Sequence, residues 1–219
     1  MGRPPRFASF GRCHAAFSCG SIGVMERELT ATHWRGYAEE QFPQAAWSVD
    51  GSVVRAIATG PRVDLITRER FRDFALSFDW RLPRGGSSAV AYRVSDESGP
   101  ATHSGPAMQL LDDEHHQDGA DALTSCGALY GLMAPWHDQR SSANAYHSSR
   151  IVVNGTLVEY WIDERQVLGC DLASEELRER IARSRFRDFA QFGQLREGHI
   201  VLAHRGTEAW FRRLRIELL

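Results

Sequence analysis

Phe74-Ala75-Leu76-Ser77-Phe78-Asp79-Trp80-Arg81 decides the fold. Successive side chains of a strand point to opposite faces, so Phe74, Leu76, Phe78 and Trp80 share one side and Ala75, Ser77, Asp79 and Arg81 the other. A strand with one aromatic face needs a second apolar layer to bury it. Working outward, short β-rich runs punctuated by Gly, Pro, Asp and Ser recur at 53–57, 65–67, 88–94, 108–111, 128–132, 150–153, 157–162, 166–170, 200–204 and 210–218. That spacing predicts an all-β, two-sheet antiparallel β-sandwich rather than βαβ units. One short helix is predicted near 174–185, with Ser174 as N-cap, Glu175 and Glu176 in the first turn and arginines at the end. The hexapeptide Arg-Phe-Arg-Asp-Phe-Ala occurs at 70–75 and 185–190, but the flanks differ, so no internal repeat follows.

With 219 residues, 42% of them hydrophobic and 25% charged, the chain can bury one core, assigned to a single domain at 25–219. Residues 1–24 carry Arg3, Arg6 and Arg12 among Gly, Ser and Ala and lack the roughly 7 to 15 residue apolar core of a secretory signal. They read as a disordered leader or a misassigned start, and the lack of a convincing signal peptide favours the cytoplasm. No run approaches the roughly 18 to 20 apolar residues of a membrane span, so the protein is expected to be soluble. A net charge of -2 without a basic stripe argues against a nucleic-acid partner. Every basic side chain other than histidine is an arginine, which excludes Schiff-base and lysine general-base chemistry. The four cysteines lack paired zinc spacings, and Cys126 and Cys170 read as reduced core residues.

Two segments concentrate candidate chemistry. Gly105-Pro106-Ala107-Met108-Gln109-Leu110-Leu111-Asp112-Asp113 and Cys126-Gly127-Ala128-Leu129-Tyr130-Gly131-Leu132-Met133-Ala134-Pro135 flank the loop Asp112-Asp113-Glu114-His115-His116-Gln117-Asp118. Carboxylates and imidazoles in this pattern suit a divalent metal, with Asp112 and His116 as ligands, or simply a solvated surface loop. Gln109 alternates with Met108 and Leu110 and faces either a ligand cleft or solvent.

These segments, with Ala46-Trp47-Ser48-Val49-Asp50-Gly51, Asp64-Leu65-Ile66-Thr67, Asp79-Trp80-Arg81, Ser88-Ala89-Val90-Ala91-Tyr92-Arg93, Gly198-His199-Ile200 and Trp210 to Ile216, resemble the 3-keto-disaccharide hydrolase domain family, from about Trp34 to about Ile216. The resemblance implies a concanavalin-like jelly roll and a small saccharide or glycoside as ligand. A ketone at C3 acidifies the proton on C2, so the implied activity is proton abstraction, expulsion of the group on C1 and hydration. That route needs one general base and one stabiliser of the enolate oxygen. Asp112 or His115 is the candidate base, Asp112 with His116 the candidate metal site, and Arg93 and Gln109 the substrate-holding pair. Tyr130 and Trp161 are candidate stacking platforms or core aromatics, and Arg93 equally suits a structural ion pair. The chain departs from the family pattern at Ala107 (usually Glu), Tyr146-His147 (Trp-Asn), Asp163-Glu164 (Asn-Gly) and Ala203-His204-Arg205-Gly206 (Gln-Asp-His-Gly). These changes keep a second expectation open, a carbohydrate-binding relative without catalysis.

Overall fold

A computed structural model describes residues 26–97, 99–136 and 141–219. The reading of residues 1–24 lies outside them. The described residues form thirteen strands: β1 (Glu26–Glu28), β2 (Trp34–Gly36), β3 (Trp47–Asp50), β4 (Val53–Ala56), β5 (Leu65–Thr67), β6 (Phe74–Arg81), β7 (Ser87–Val94), β8 (Ala107–Leu111), β9 (His147–Asn154), β10 (Leu157–Ile162), β11 (Arg165–Asp171), β12 (His199–Leu202) and β13 (Ala209–Leu218). The larger sheet runs β11-β10-β9-β6-β13-β4-β3, with β1 also paired to β13, and the smaller runs β2-β5-β12-β7-β8. Every pairing is antiparallel, so the chain is the β-sandwich that its alternation predicts.

Phe74, Leu76, Phe78 and Trp80 of β6 are buried against the smaller sheet's Val90, Tyr92, Met108 and Leu110 in one hydrophobic cluster. Polar atoms trapped in this layer are mostly paired, the Trp34 indole N–H excepted. The Trp80 indole N–H donates to Ser149 Oγ at 2.8 Å. Tyr92 of the smaller sheet and Tyr160 of the larger share a hydroxyl–hydroxyl hydrogen bond of 2.9 Å. Burial pushes both phenols well above their ordinary pKa, so each stays a neutral donor and acceptor.

Two expectations need correction. Residues 128–132 are not a strand. Gly127 and Gly131 hold positive φ, 80° and 71°, so the segment curls after a single bridge from Leu129 to Met108 and returns on itself at Met133. It still extends the smaller sheet, because Tyr130 N–H donates to Ala107 O and Gln109 N–H to Ala128 O, both at 3.0 Å. The helix α1 spans Glu175–Ala182, shorter than predicted. Ser174 Oγ accepts Leu177 N–H as its cap, Leu177 is buried, and Ile181 packs on the core. Cys126 is buried, whereas Cys170 is only partly so.

Arg93 is a structural tie. The register between β7 and β12 shifts beside it, and its φ of 51° turns the side chain away from the alternating pattern. Its Nη2 donates to Gly155 O at 2.6 Å and Arg72 O at 3.0 Å and lies 3.3 Å from Asp73 Oδ1. Asp73 Oδ1 also accepts Gly155 N–H, so one buried guanidinium joins β7, the start of β6 and the β9–β10 hairpin. Burial lowers the Arg93 pKa from its ordinary value and the Asp73 carboxylate opposes that. Arg93→Met should destabilise the fold by about 3–5 kcal/mol, the usual penalty for removing one partner of a buried charged network. Urea unfolding measures this, and a loss below about 0.5 kcal/mol, the level of an ordinary surface change, would refute the tie.

Candidate functional site

The outer face of the smaller sheet is laid out by register. Arg35 pairs with Ile66, Ile66 with Val201, Val201 with Ala91, and Ala91 with Ala107. Tyr130, bonded to Ala107 through its backbone, extends this row. In the adjacent row Gln109 pairs with Ala89, whose carbonyl accepts Ala203 N–H at 2.9 Å. The floor is therefore apolar, its centre buried where Ile66, Ala91 and Val201 pack with Val94 and Ala101 in a second hydrophobic cluster, and the polar groups stand at its margins.

On one margin are Gln109 and Tyr130. The Tyr130 hydroxyl accepts a hydrogen bond from Arg185 Nη1 at 3.0 Å, and the guanidinium carbon lies 5.5 Å from the ring centroid. The opposite margin holds Arg35, Asp96, His199 and Tyr37. Arg35 is hydrogen-bonded to Asp96, whose other oxygen lies 3.6 Å from His199 Nε2. His199 Nδ1 is 2.7 Å from Thr67 O, so Nδ1 bears a hydrogen toward that carbonyl while Nε2 faces Asp96. Tyr37 donates to Ser95 O at 2.9 Å. Its pKa is pushed up to about 12 by burial first and then by Asp96 and Asp64. Arg35, Asp96 and Tyr37 gave no signal in the sequence, and His199 was visible only as part of the family segment. The β2–β5–β12–β7 pairing brings them together.

At the end of β8 the chain enters a rim loop. Asp112 is 1% exposed, and its Oδ2 accepts Gly85 N–H at 2.7 Å and contacts His115 Nδ1 at 2.9 Å. Gly85 holds a φ of +66°, a conformation that glycine adopts without strain. The carboxylate is thus committed, and His115, partly exposed, presents its Nε2 outward with Glu114 3.9 Å away. His116 turns its Nδ1 to the Asp118 N–H at 3.1 Å. Among the described residues no group of three or more His, Cys, Asp or Glu side chains converges. Asp112 and His116 each have other partners in this structure, and no chemical step is assigned to a metal.

The other candidates lie elsewhere. Arg93 is bound up in the tie described above, and Trp161 stands on the outer face of the larger sheet, in register with Arg150. The structure therefore brings Gln109 and Tyr130 to one face, Asp112 and His115 to its rim, and separates both from Arg93 and Trp161. His147 and His204 have structural partners too. His147 Nδ1 contacts Asp163 Oδ2 at 2.8 Å and its ring lies against Trp80 with centroids 5.0 Å apart. His204 meets Trp47 edge-on at 5.7 Å, and its Nε2 lies 3.1 Å from Ile57 O.

Residues 27–217 match the model of the 3-keto-alpha-glucoside-1,2-lyase-like domain. The chain belongs to that family. Membership makes its domain one of a carbohydrate-active type. A protein named 3-keto-disaccharide hydrolase from Bacteroides thetaiotaomicron is 25% identical, with 87% of this chain and 76% of the relative covered. A protein of Parabacteroides distasonis, named provisionally as a glycosyl hydrolase, superposes with a TM-score of 0.79 at 21% identity, covering 87% of this chain and 90% of that one. The family 66 carbohydrate-binding module of Bacillus subtilis shares the fold more loosely, with a TM-score of 0.56 at 12% identity over 84% of this chain and 95% of its own. No helix among the described residues of this family member is long and apolar enough to cross a membrane.

Asp96 gives the margin a pH dependence. Burial would raise its pKa, but the Arg35 hydrogen bond and then His199 outweigh that and hold it below its ordinary value. A carboxylate depressed in the folded state stabilises the fold above its unfolded pKa, about 4, and loses that contribution as pH falls through the lower folded value. Asp96→Asn should therefore lower the urea midpoint at pH 6 and make progressively less difference below about pH 4. A difference that stays constant across that window would show that the ion pair contributes nothing linked to protonation.

Proposed function

We propose that this protein cleaves 3-keto glycosides at the smaller sheet's outer face, with His115 as general base. The carrying observation is the 2.9 Å contact between buried Asp112 and His115 at the end of the strand that bears Gln109. A buried carboxylate at Nδ1 fixes the imidazole tautomer and stabilises the imidazolium that forms when Nε2 takes a proton. Asp112 is then a positioning residue rather than the base.

The C2–H electrons form the enolate, with the proton on His115 Nε2 and negative charge on O3. Collapse of the enolate restores the ketone, forms C1=C2 and breaks the bond from C1 to the leaving oxygen, which takes a proton. Water then adds across C1=C2, giving net hydrolysis. The developing charge on O3 needs a donor. Tyr130 suits that role, because its oxygen accepts from Arg185 and its own O–H remains to donate. The Gln109 amide supplies orientation at the same margin.

His115→Ala should lower kcat for 3-keto-trehalose or 3-keto-sucrose by about 10²–10⁴, the usual contribution of a general base. Released sugar measured by NMR gives the rate, and turnover within twofold of the native protein would remove His115 from the mechanism. A second reading, binding without catalysis, is favoured by Ala107 and Ala203, which leave the floor of the face without polar groups. It expects ligand-induced NMR shifts near Gln109 and Tyr130 with no product from any 3-keto glycoside tested.

A further inference from the structure

The opposite side of the sandwich carries a cleft of about 410 Å³. Its axis is another straight row of the sheet. Trp161 pairs with Arg150, Arg150 with Ser77, and Ser77 with Arg215. At one strand spacing per step the row is roughly 14 Å long, long enough for more than one sugar ring. Ser77, small and central, makes the depression between the two arginines.

Both ends of the cleft coincide with breaks in the sheet. The β10–β11 register shifts between Tyr160 and Trp161, and the β13–β6 register shifts between Arg212 and Arg215, where Arg213 takes a φ of 51°. Bulges re-aim side chains from the regular alternation, and here one adjoins Trp161 while the other brings Arg213 and Arg215 to the same cleft. The Trp161 indole N–H is held by Glu159 at 2.9 Å, which fixes the ring plane and satisfies its polar edge.

The charges in the cleft are balanced rather than of one sign. Arg213 lies 3.5 Å from Asp79, Arg215 4.0 Å from Glu26, and Arg150 3.0 Å from Glu217. Arg150 also reaches Ser77 Oγ at 3.3 Å. Guanidinium donors alternate with carboxylate and hydroxyl acceptors beside an aromatic platform, a set complementary to a neutral polyhydroxylated ring and not to a polyanion.

We propose that this cleft is a second saccharide site, which takes a neutral oligosaccharide with one ring stacked on Trp161. It shares with the catalytic reading only the class of ligand, and it lies on the other face of the sandwich. The test is titration of the full chain with maltotriose, cellotriose and laminaritriose, followed by amide NMR, on the native protein, Trp161→Ala and Trp161→Phe. Saturable shifts around Ser77, Arg150 and Trp161 are expected with at least one trisaccharide, at least tenfold weaker in Trp161→Ala and largely retained in Trp161→Phe. Shifts confined to the neighbourhood of Gln109 and Tyr130 would overturn this site and leave the catalytic reading standing. No shifts on either face, or equal affinity in Trp161→Ala, would overturn it as well. Tighter binding of a trigalacturonate at low salt than of every neutral sugar would refute the neutral ligand.

Discussion

Burial between the two sheets makes an unpaired polar group costly, and this constraint arranges much of the molecule, although the Trp34 indole N–H is left without a partner inside the core cluster. On β6 it places four aromatic and aliphatic residues inside and hands Ser77, Asp79 and Arg81 to the outer face. On β7 and β8 it places Val90, Tyr92, Met108 and Leu110 inside and hands Ala89, Ala91, Ala107 and Gln109 outward. The exceptions prove costly enough to be paired, as the Tyr92–Tyr160 hydroxyl bond across the layer shows. A ligand can therefore meet this protein on either outer face or at the loops that close the ends.

How much of this was legible in the sequence follows from the same constraint. The runs 65–67, 74–81 and 157–162 match their observed strand limits; 74–81 and 157–162 alternate, with one face that must be buried and that a register slip would invert, whereas 65–67 is buried throughout. The segment 128–132 misled, since its apolar residues resemble a strand while Gly127 and Gly131 bend it at both ends. The candidate site was half legible. Gln109 and Tyr130 stood out because family resemblance marked their two segments, and Asp112 with His115 because acidic and imidazole groups cluster in sequence. Arg93 was open in sequence between a substrate donor and a structural ion pair, and the bulge beside it turns its side chain to Asp73 and Gly155. The Arg35–Asp96–His199 margin joins residues far apart in the chain, and only register, which sequence does not print, brings them together.

The departures from the family pattern sort into two kinds once they are placed. Tyr146-His147 and Asp163-Glu164 form a matched set. His147 contacts the Asp163 carboxylate, Tyr146 lies under Arg212 at 3.7 Å, and Asp163 and Glu164 both take the positive φ that an Asn-Gly turn would supply. Together they rebuild a corner of the larger sheet. Ala107 and Ala203 have no such compensation: they lie on the smaller sheet's outer face, two strands apart and in adjacent rows.

That difference decides what the alanines imply for catalysis. A polar group on the floor contributes to kcat only if its interaction strengthens as charge develops on the reacting atoms; one that merely grips a hydroxyl contributes equally before and at the transition state. The groups proposed for the reacting end, His115 with Asp112 behind it and Tyr130 with Arg185 behind it, stand at the margins. Under the proposed catalytic reading what the floor has lost is grip, and a face stripped in this way would turn over a bound 3-keto sugar while holding it weakly, a raised KM; under the binding-only reading the same alanines are lost catalytic groups, so kcat against KM separates the two.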